Sequence, residues 1–180
     1  RFGARLRELD LMPLKPTGID IFQVNVGYMC NMVCEHCHVD AGPTRTEIMT
    51  VETMEHCLKA IKAANATTVD ITGGAPEMNP DFKWFVEQIR AISKDIEIIV
   101  RSNLTILVSN KHYRTYPQFF KDNNVTVIAS LPCYTAENTD KQRGDKTFER
   151  SIRALKDLND LGYGQEDTGL NLHLVFNPGG

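Results

Sequence analysis

The sequence has 180 residues, and 42% of them are hydrophobic, which is enough to bury the core of one domain. Its 20 basic and 23 acidic residues give a net charge of −3, which argues against a surface for nucleic acid or an anionic membrane, and no apolar run approaches the ~18 residues of a membrane span. We therefore expect a globular, cytoplasmic protein with neither nucleic acid nor a membrane as a partner.

Hydrophobic periodicity predicts five strands and the helices between them, after an N-terminal extension over residues 1–17. Strands are predicted over residues 19–27, 67–72, 96–103, 125–131 and 170–176. Helices are predicted over residues 50–64 with Thr50 as N-cap, from Pro80 onwards with Asn79 as N-cap, over 145–161, and for one or two turns near 116–121. This alternation is typical of βαβ units, so the predicted fold class is α/β, with parallel strands and outer helices.

Three of the five cysteines lie within eight residues, directly after the first predicted strand: Cys30, Cys34 and Cys37. Disulfide frameworks are typical of small secreted chains with even cysteine counts, so clustered thiols in this chain indicate a metal site in a reduced protein. Structural zinc normally takes four protein ligands, and the sequence has no second cysteine pair of this kind. Three ligands and one open position also suit an iron–sulfur cluster. The spacing alone leaves zinc, an iron–sulfur cluster and a role without metal open.

Other chemically capable residues end or directly follow predicted strands. They are Gly73, Gly74, Asn103 and Cys133. Parallel α/β folds place their sites where strands end, so we expect these residues and the cysteine loop to surround one mouth.

The cysteine spacing, followed by a second strand that ends in Gly73-Gly74-Ala75-Pro76-Glu77, resembles the radical S-adenosylmethionine (SAM) superfamily. Within that superfamily, four runs and one tripeptide are similar to the arsenosugar-biosynthesis radical SAM proteins. They are residues 37–43, 70–77, 102–107 and 129–134, with Arg143-Gly144-Asp145. The resemblance covers nearly the whole chain from about Leu9.

This resemblance implies a mechanism and its cofactors. Cys30, Cys34 and Cys37 are expected to ligate three irons of a 4Fe-4S cluster whose fourth iron binds SAM. One electron, supplied by an external donor, then cleaves SAM to a 5′-deoxyadenosyl radical. In the arsenosugar family the adenosyl group is added to a dimethylated trivalent arsenic, so a methylated arsenical is the expected small-molecule substrate.

The resemblance also suggests which residues bind SAM. Gly73 and Gly74, with the backbone of Ala75 and Pro76, are expected to approach its methionine end closely. His36 stands where the superfamily usually has an aromatic residue against the adenine, and Arg101, Asn103 and Ser130 are candidates for the ribose and carboxylate. The alternative for the two glycines is a simple turn that ends the strand. The alternative for the three polar side chains is a set of hydrogen bonds that only close loops. Ala75 replaces the usual acidic residue, which leaves the role of Glu77 open.

The two remaining cysteines receive different predictions. Trivalent arsenic is thiophilic, so Cys133 is our hypothesis for an arsenic anchor, with a buried packing role as the alternative. Cys57 lies on the apolar stripe of a predicted helix and is expected in the core.

The fold implied by the resemblance is a partial (β/α)6 TIM-like barrel over residues 18–180. Only five of its six strands are predicted, so we expect the chain to be an N-terminal portion that lacks the C-terminal part of the barrel. Two alternative functions remain. One is a radical SAM enzyme that abstracts hydrogen from a peptide, nucleoside or cofactor precursor, and the other is a non-catalytic zinc-binding α/β module.

Overall fold

Five parallel strands form one sheet in the computed structural model, which describes residues 1–15, 17–35 and 37–176. Their order in the sheet is their order in the chain, and every neighbouring pair is parallel. They are β1 (Ile21–Asn25), β2 (Thr68–Thr72), β3 (Glu97–Ser102), β4 (Val125–Ser130) and β5 (Leu172–Val175). The predicted α/β class with parallel strands is confirmed.

Six α-helices lie within the described residues. They are α1 (Phe2–Glu8), α2 (Val51–Ala64), α3 (Phe82–Ile92), α4 (Tyr116–Asp122), α5 (Ala136–Arg143) and α6 (Thr147–Asp160). Thr50 caps α2 as predicted, because its hydroxyl accepts a hydrogen bond from the Thr53 N–H at 3.4 Å. No described helix is long and apolar enough to cross a bilayer.

The core lies between the sheet and the helices. Strand residues Val69, Ile71, Ile98, Val100 and Val127 are fully buried in this core. The apolar faces of α2 and α3 supply Met54, Ile61, Phe82, Phe85, Val86 and Ile89. Since this packing fixes the strands, it also fixes the loops at their carboxyl ends.

The predicted start of α3 is wrong by two residues. The helix begins at Phe82, and Asn79 ties distant segments together instead of capping a helix at Pro80. Its amide nitrogen donates to the Val26 carbonyl at 2.9 Å and to the Met49 carbonyl at 3.0 Å. Asn79 therefore links the end of β1 to the segment that leads into α2.

Two helices have no counterpart in the sequence-based prediction. Helix α5 has a wholly polar surface, so no hydrophobic period marked it, and α1 has no buried residue. Helix α6 starts at Thr147, two residues later than predicted, because Asp140 of α5 accepts a hydrogen bond from the Phe148 N–H at 2.8 Å. Cys57, predicted in the core, is partly buried and packs against it.

Candidate functional site

A cavity of about 610 Å³ opens at the carboxyl ends of the strands. It is lined by predicted site residues from the loop after β1 and from the ends of β2, β3 and β4. These are Cys30, Cys34, Cys37, Gly73, Gly74, Arg101, Asn103 and Ser130. The structure therefore brings residues that are far apart in the chain to one mouth.

Other predicted site residues lie elsewhere. Ala75 and Pro76 are buried and do not appear among the described residues that line this cavity. Cys133 lies partly exposed next to Pro132, which does line it. His36 lies outside the described residues, so its predicted contact with adenine stays a prediction.

The cysteine loop is held by backbone hydrogen bonds that fold it back on itself. The Cys30 N–H donates to the Gly42 carbonyl at 3.1 Å, and the Gly42 N–H returns a bond to the Tyr28 carbonyl at the same distance. Cys37 accepts the Ala41 N–H on its sulfur at 3.3 Å. The loop thus presents its thiols from a backbone that is already paired.

The two glycines after β2 pack on the chain that leads into Cys30. A Cβ on Gly73 would lie 2.6 Å from the Gly27 carbonyl oxygen, and a Cβ on Gly74 would lie 2.5 Å from that of Met29. The Gly74 N–H donates to Gly27 and the Ala75 N–H to Met29, both at 2.9 Å. Glycine is therefore required here for close backbone packing, whatever its contact with SAM.

The three thiols sit in a partly apolar environment. Burial raises the pKa of the Cys30 thiol, and neighbouring Cys34 and Cys37 raise it further, while a hydrogen bond from Asn103 lowers it in part. Burial also raises the pKa of Cys34, and the positive charge of Arg143 opposes that effect. A cation close to the thiols favours their thiolate form, which is the form that binds metal.

The spacing of the thiols tests which metal group they fit. A zinc–sulfur bond is ~2.3 Å long, so thiols on one zinc ion must lie close together. Among the described residues no three histidine, cysteine or acidic side chains are close enough to hold a single metal ion. Three cysteines without disulfide partners around one open cavity fit the all-thiolate, multi-iron ligation of an iron–sulfur cluster better.

Arg101 is held in the cavity wall by a carboxylate. Its guanidinium donates from Nε at 2.9 Å and from the second terminal nitrogen at 2.9 Å to Asp70, which is buried and also accepts the Gln23 amide at 2.8 Å. This contact raises the pKa of Arg101. One side of the guanidinium is thus anchored while the side chain stays 42% exposed and able to bind an anion.

Asn103 is buried, and both its amide groups are engaged. Its nitrogen donates to the Cys30 sulfur at 3.5 Å and to Asn31 Oδ1 at 2.8 Å, and its oxygen accepts from Thr105 and Ile106. The predicted contact with the ribose or carboxylate of SAM therefore competes with hydrogen bonds that already exist.

Arg143 is a site residue that the sequence did not assign. It extends from the end of α5 into the cavity, donates to the Ser130 carbonyl at 2.8 Å, and leaves its buried Nε without a hydrogen-bond partner among the described residues. The tripeptide that begins at Arg143 contributed to the family resemblance. The position of Arg143 facing the cysteines depends on helix α5, which the sequence did not predict.

Glu77 is fully buried behind the loops of β2 and β3. Neither of its carboxylate oxygens has a hydrogen-bond partner among the described residues. Burial raises the pKa of this carboxyl to about 7, an effect that Ser102 and the Glu77 backbone only partly offset. Glu77 does not line the cavity.

Comparison with known proteins agrees with this geometry. The family model of the radical SAM superfamily matches residues 24–177. The chain is 26% identical over 137 residues to the mycofactocin maturase MftC of Mycobacterium tuberculosis, which covers 76% of this chain and 33% of that protein. It is 22% identical over 147 residues to a GTP 3′,8-cyclase of Aliarcobacter butzleri, over 80% of this chain and 44% of the cyclase.

A solved structure shows the same fold. Streptococcus suis SuiB bound to S-adenosylmethionine superposes with a TM-score of 0.70 at 16% sequence identity, over 95% of this chain and 36% of SuiB. The chain thus spans about a third of the length of MftC and of SuiB.

Proposed function

The chain belongs to the radical SAM superfamily, and from that membership we propose that Cys30, Cys34 and Cys37 hold the cluster of an enzyme that transfers the adenosyl group of SAM to a trivalent arsenical. The cofactors of the superfamily are a 4Fe-4S cluster and SAM. When bound and reduced by an external donor, they supply a 5′-deoxyadenosyl radical. The protein orients these groups and excludes water from them.

The observation that carries the cluster assignment is the convergence of the three thiols on one cavity. The three thiols belong to one loop whose backbone hydrogen bonds hold them at the cavity, which supports their role as ligands of one cluster. Arg143 opposes the cost of burying negative charge on Cys34. These features support Cys30, Cys34 and Cys37 as ligands and leave a fourth coordination position for SAM.

Two arginines support a binding site for SAM in the same cavity. Arg143 has a buried Nε that none of the described residues pairs with, and Arg101 has one side free of Asp70. A guanidinium matches the geometry of a carboxylate. We assign the carboxylate of SAM to one of these arginines, with Ser130 and the backbone at Gly73 and Gly74 beside it. The amide of Asn103 is already engaged with Cys30 and with the loop after β3, and Ala75 holds the cysteine loop through its N–H to Met29 beside the buried Pro76.

The loop after β4 supports a thiophilic substrate. Contacts with the backbone and hydroxyl of Thr135 lower the pKa of the Cys133 thiol, and the sulfur lies 3.7 Å from that hydroxyl. A thiol with a lowered pKa has more of the thiolate that binds trivalent arsenic. Cys133 directly follows Pro132, which lines the cavity, so it is placed to deliver an arsenical to the mouth.

The proposed transfer is balanced. The carbon–sulfur bond of SAM breaks to release methionine, a carbon–arsenic bond forms, and the hydroxyl proton of the dimethylarsinous acid leaves as arsenic becomes pentavalent. The electron that starts the reaction is regained, so the donor is needed to prime the reaction and is not consumed in it.

Anaerobic reconstitution with iron and sulfide tests this function. The natural full-length protein is incubated with SAM and dithionite, with and without dimethylarsinous acid, and the products are identified by mass spectrometry. An adenosyl-arsenical formed only when the arsenical is present supports the proposal. Cleavage of SAM without that product contradicts the arsenical substrate while leaving the radical SAM assignment in place.

The Cys133→Ser variant tests the proposed arsenic anchor, with Cys57→Ser as its control. Cys57 packs against the core through α2, away from the lining of the cavity. We expect Cys133→Ser to raise the KM for the arsenical several-fold without changing cluster content. Equal KM values in both variants would remove Cys133 from the proposal.

A second candidate function is hydrogen abstraction from a peptide or a nucleotide. Its support is the similarity to a mycofactocin maturase and a GTP cyclase, and the fold shared with SuiB, which has also been solved bound to its precursor peptide SuiA. The same mass-spectrometric assay separates the two functions, because hydrogen abstraction releases free 5′-deoxyadenosine.

A further inference from the structure

Asn103 makes a direct contact with a cysteine that we assign to the cluster. It follows β3, is 6% exposed, and its side-chain nitrogen lies 3.5 Å from the Cys30 sulfur, within the longer range of hydrogen bonds to sulfur. Cys30 is itself buried, so water does not compete at this contact. An amide N–H is thus aimed at one thiol of the three.

The orientation of this amide follows from its backbone partner. The Ile106 N–H, which can only donate, lies 3.1 Å from Asn103 Oδ1. The oxygen must therefore face Ile106, and the nitrogen must face Cys30. A flipped amide would place two N–H groups against each other and an oxygen against a thiolate.

A closed ring of side-chain hydrogen bonds holds this orientation. Asn103 donates to Asn31 Oδ1 at 2.8 Å, Asn31 donates to Thr105 Oγ1 at 2.9 Å, and Thr105 donates to Asn103 Oδ1 at 3.0 Å. Every donor in the ring meets an acceptor, and Asn31 directly follows Cys30 in the chain. The ring therefore ties the cysteine loop to the loop after β3 and fixes the direction of the N–H that faces sulfur.

Given the proposed role of Cys30 as a cluster ligand, we propose that Asn103 is a positioning residue that raises the reduction potential of the cluster through its N–H to the Cys30 sulfur. Reduction adds negative charge to the cluster and its thiolates, and a hydrogen-bond donor stabilises that charge. Asn31 and Thr105 act through Asn103, because they keep its amide in place. The arsenical plays no part in this role.

The reduction potential of the reconstituted cluster tests the proposal directly. It is measured by EPR-monitored titration of the natural full-length protein without SAM or substrate, alongside iron content and far-UV circular dichroism. We expect Asn103→Ala to shift the potential to more negative values and to change the EPR signal of the reduced cluster. Thr105→Val should give a smaller shift in the same direction, and Thr105→Ser, which keeps the hydroxyl, should restore the wild-type value.

Asn79→Ala is the matched control. Asn79 is an equally buried asparagine beside the same end of the sheet, but its amide donates to the carbonyls of Val26 and Met49 and not to sulfur. We expect it to lower stability and leave the potential of the cluster unchanged. An equal shift in Asn79→Ala and Asn103→Ala would overturn the proposal, because it would mean that a general loss of packing around the site, and not the N–H to sulfur, changes the potential.

Unchanged potentials in both Asn103→Ala and Thr105→Val, with full iron content, would also overturn it. If Asn103→Ala takes up no iron, the pair of Thr105 variants decides alone, since each leaves the Asn103 side chain in place. Failure of the wild-type protein to bind iron is a different result, because it would contradict the cluster assignment itself.

Discussion

The loop after β1 and the loop after β4 face the same cavity but are held in different ways. The cysteine loop is fixed mainly by backbone hydrogen bonds, to its own return segment and to the glycines after β2. The loop after β4 is held by side chains of α5: Arg143 donates to the Ser130 carbonyl, and Thr139 donates to the Cys133 carbonyl at 2.9 Å. Tyr134 on that loop is 66% exposed.

This difference separates two tasks within one site. Backbone pairing, together with the buried side-chain ring of Asn31, Asn103 and Thr105, preorganises the position of Cys30, which suits a cofactor of fixed shape. Side chains of the polar helix α5 hold the loop after β4. Single substitutions can change such contacts, so this loop is easier to adapt to a particular substrate. Substitutions near the cysteine loop should therefore reduce iron binding or stability, whereas substitutions near the loop after β4 should mainly weaken ligand binding.

Loss of a thiol on the cysteine side should have the largest effect. We expect Cys30→Ser to bind at least about tenfold less iron than wild type, because one of three ligands is lost and its neighbours stay buried. Iron and acid-labile sulfide analysis measures this, with Cys57→Ser as the control. Equal iron loss in the control would mean that general thiol loss, not ligation, is responsible.

The buried carboxyl of Glu77, which follows β2, should make the free energy of unfolding of the protein depend on pH. Its pKa rises to about 7 in the folded protein, so as pH rises from about 4.5 to 7 the unfolded chain releases a proton that the folded chain keeps. Stability should therefore fall by about 3 kcal/mol across that window and level off above it. Below pH 4.5 both states are protonated and the difference disappears.

Urea denaturation of the metal-free protein between pH 5 and 8 measures this dependence. The Glu77→Gln variant should lose that part of the slope and be more stable than wild type at pH 8. The exposed Glu87, changed to Gln, serves as control and should leave the slope intact. A slope that survives in Glu77→Gln would assign it to other groups.

Gly74→Ala should disturb the cysteine side through its backbone. The added Cβ would lie 2.5 Å from the Met29 carbonyl oxygen, so the loops after β1 and β2 must separate. We expect a loss of about 2 kcal/mol in the free energy of unfolding and a lower iron content. Gly18→Ala is the control, because a Cβ there would have no neighbour within 4 Å among residues 1–15, 17–35 and 37–176. Equal stability of the two variants would show that the close approach is easily relieved.

Arg143→Ala should have the smallest effect and should act on the other side. The loss of one guanidinium contact is expected to weaken SAM binding about tenfold. Burial affects the pKa of Cys34 more than the charge of Arg143 does, so iron content should fall less than in Cys30→Ser. Isothermal titration of the reconstituted protein with SAM measures it. The exposed Arg150 of α6, changed to Ala, is the control. If Arg143→Ala lost as much iron as Cys30→Ser while Arg150→Ala lost none, Arg143 would instead act mainly on the cysteine side.

Strands and site loops were predictable where local patterns carried them. The β-branched and apolar residues of β2, β3 and β4 contribute to the core, and their residue types predicted strands at these positions. The three cysteines are close in sequence, and the double glycine has a packing reason that its residue type already suggested. These features depend on neighbours a few positions apart.

Helix α5 and the true start of helix α3 could not be predicted in the same way. Helix α5 has no apolar face, and it is held by contacts of Thr139, Asp140 and Arg143 with residues outside it. Asn79 has the residue type of an N-cap, but its oxygen accepts the Asp81 N–H at 2.8 Å in a turn ahead of α3, and its nitrogen donates to the carbonyls of Val26 and Met49, 53 and 30 positions away. Helix α3 itself begins at Phe82, and the distant partners of Asn79 could not be predicted from local propensity.

By itself, the sequence determined the α/β class, the loop of three thiols and the strand ends that surround the site, because these follow from short-range periodicity and spacing. Only the tertiary structure decided that Arg143 faces the thiols, that Asn103 points its N–H at Cys30, and that the buried Glu77 carboxylate has no hydrogen-bond partner in the described part of the chain. Those contacts join residues far apart in the chain, and their geometry is set by how helices pack on the sheet.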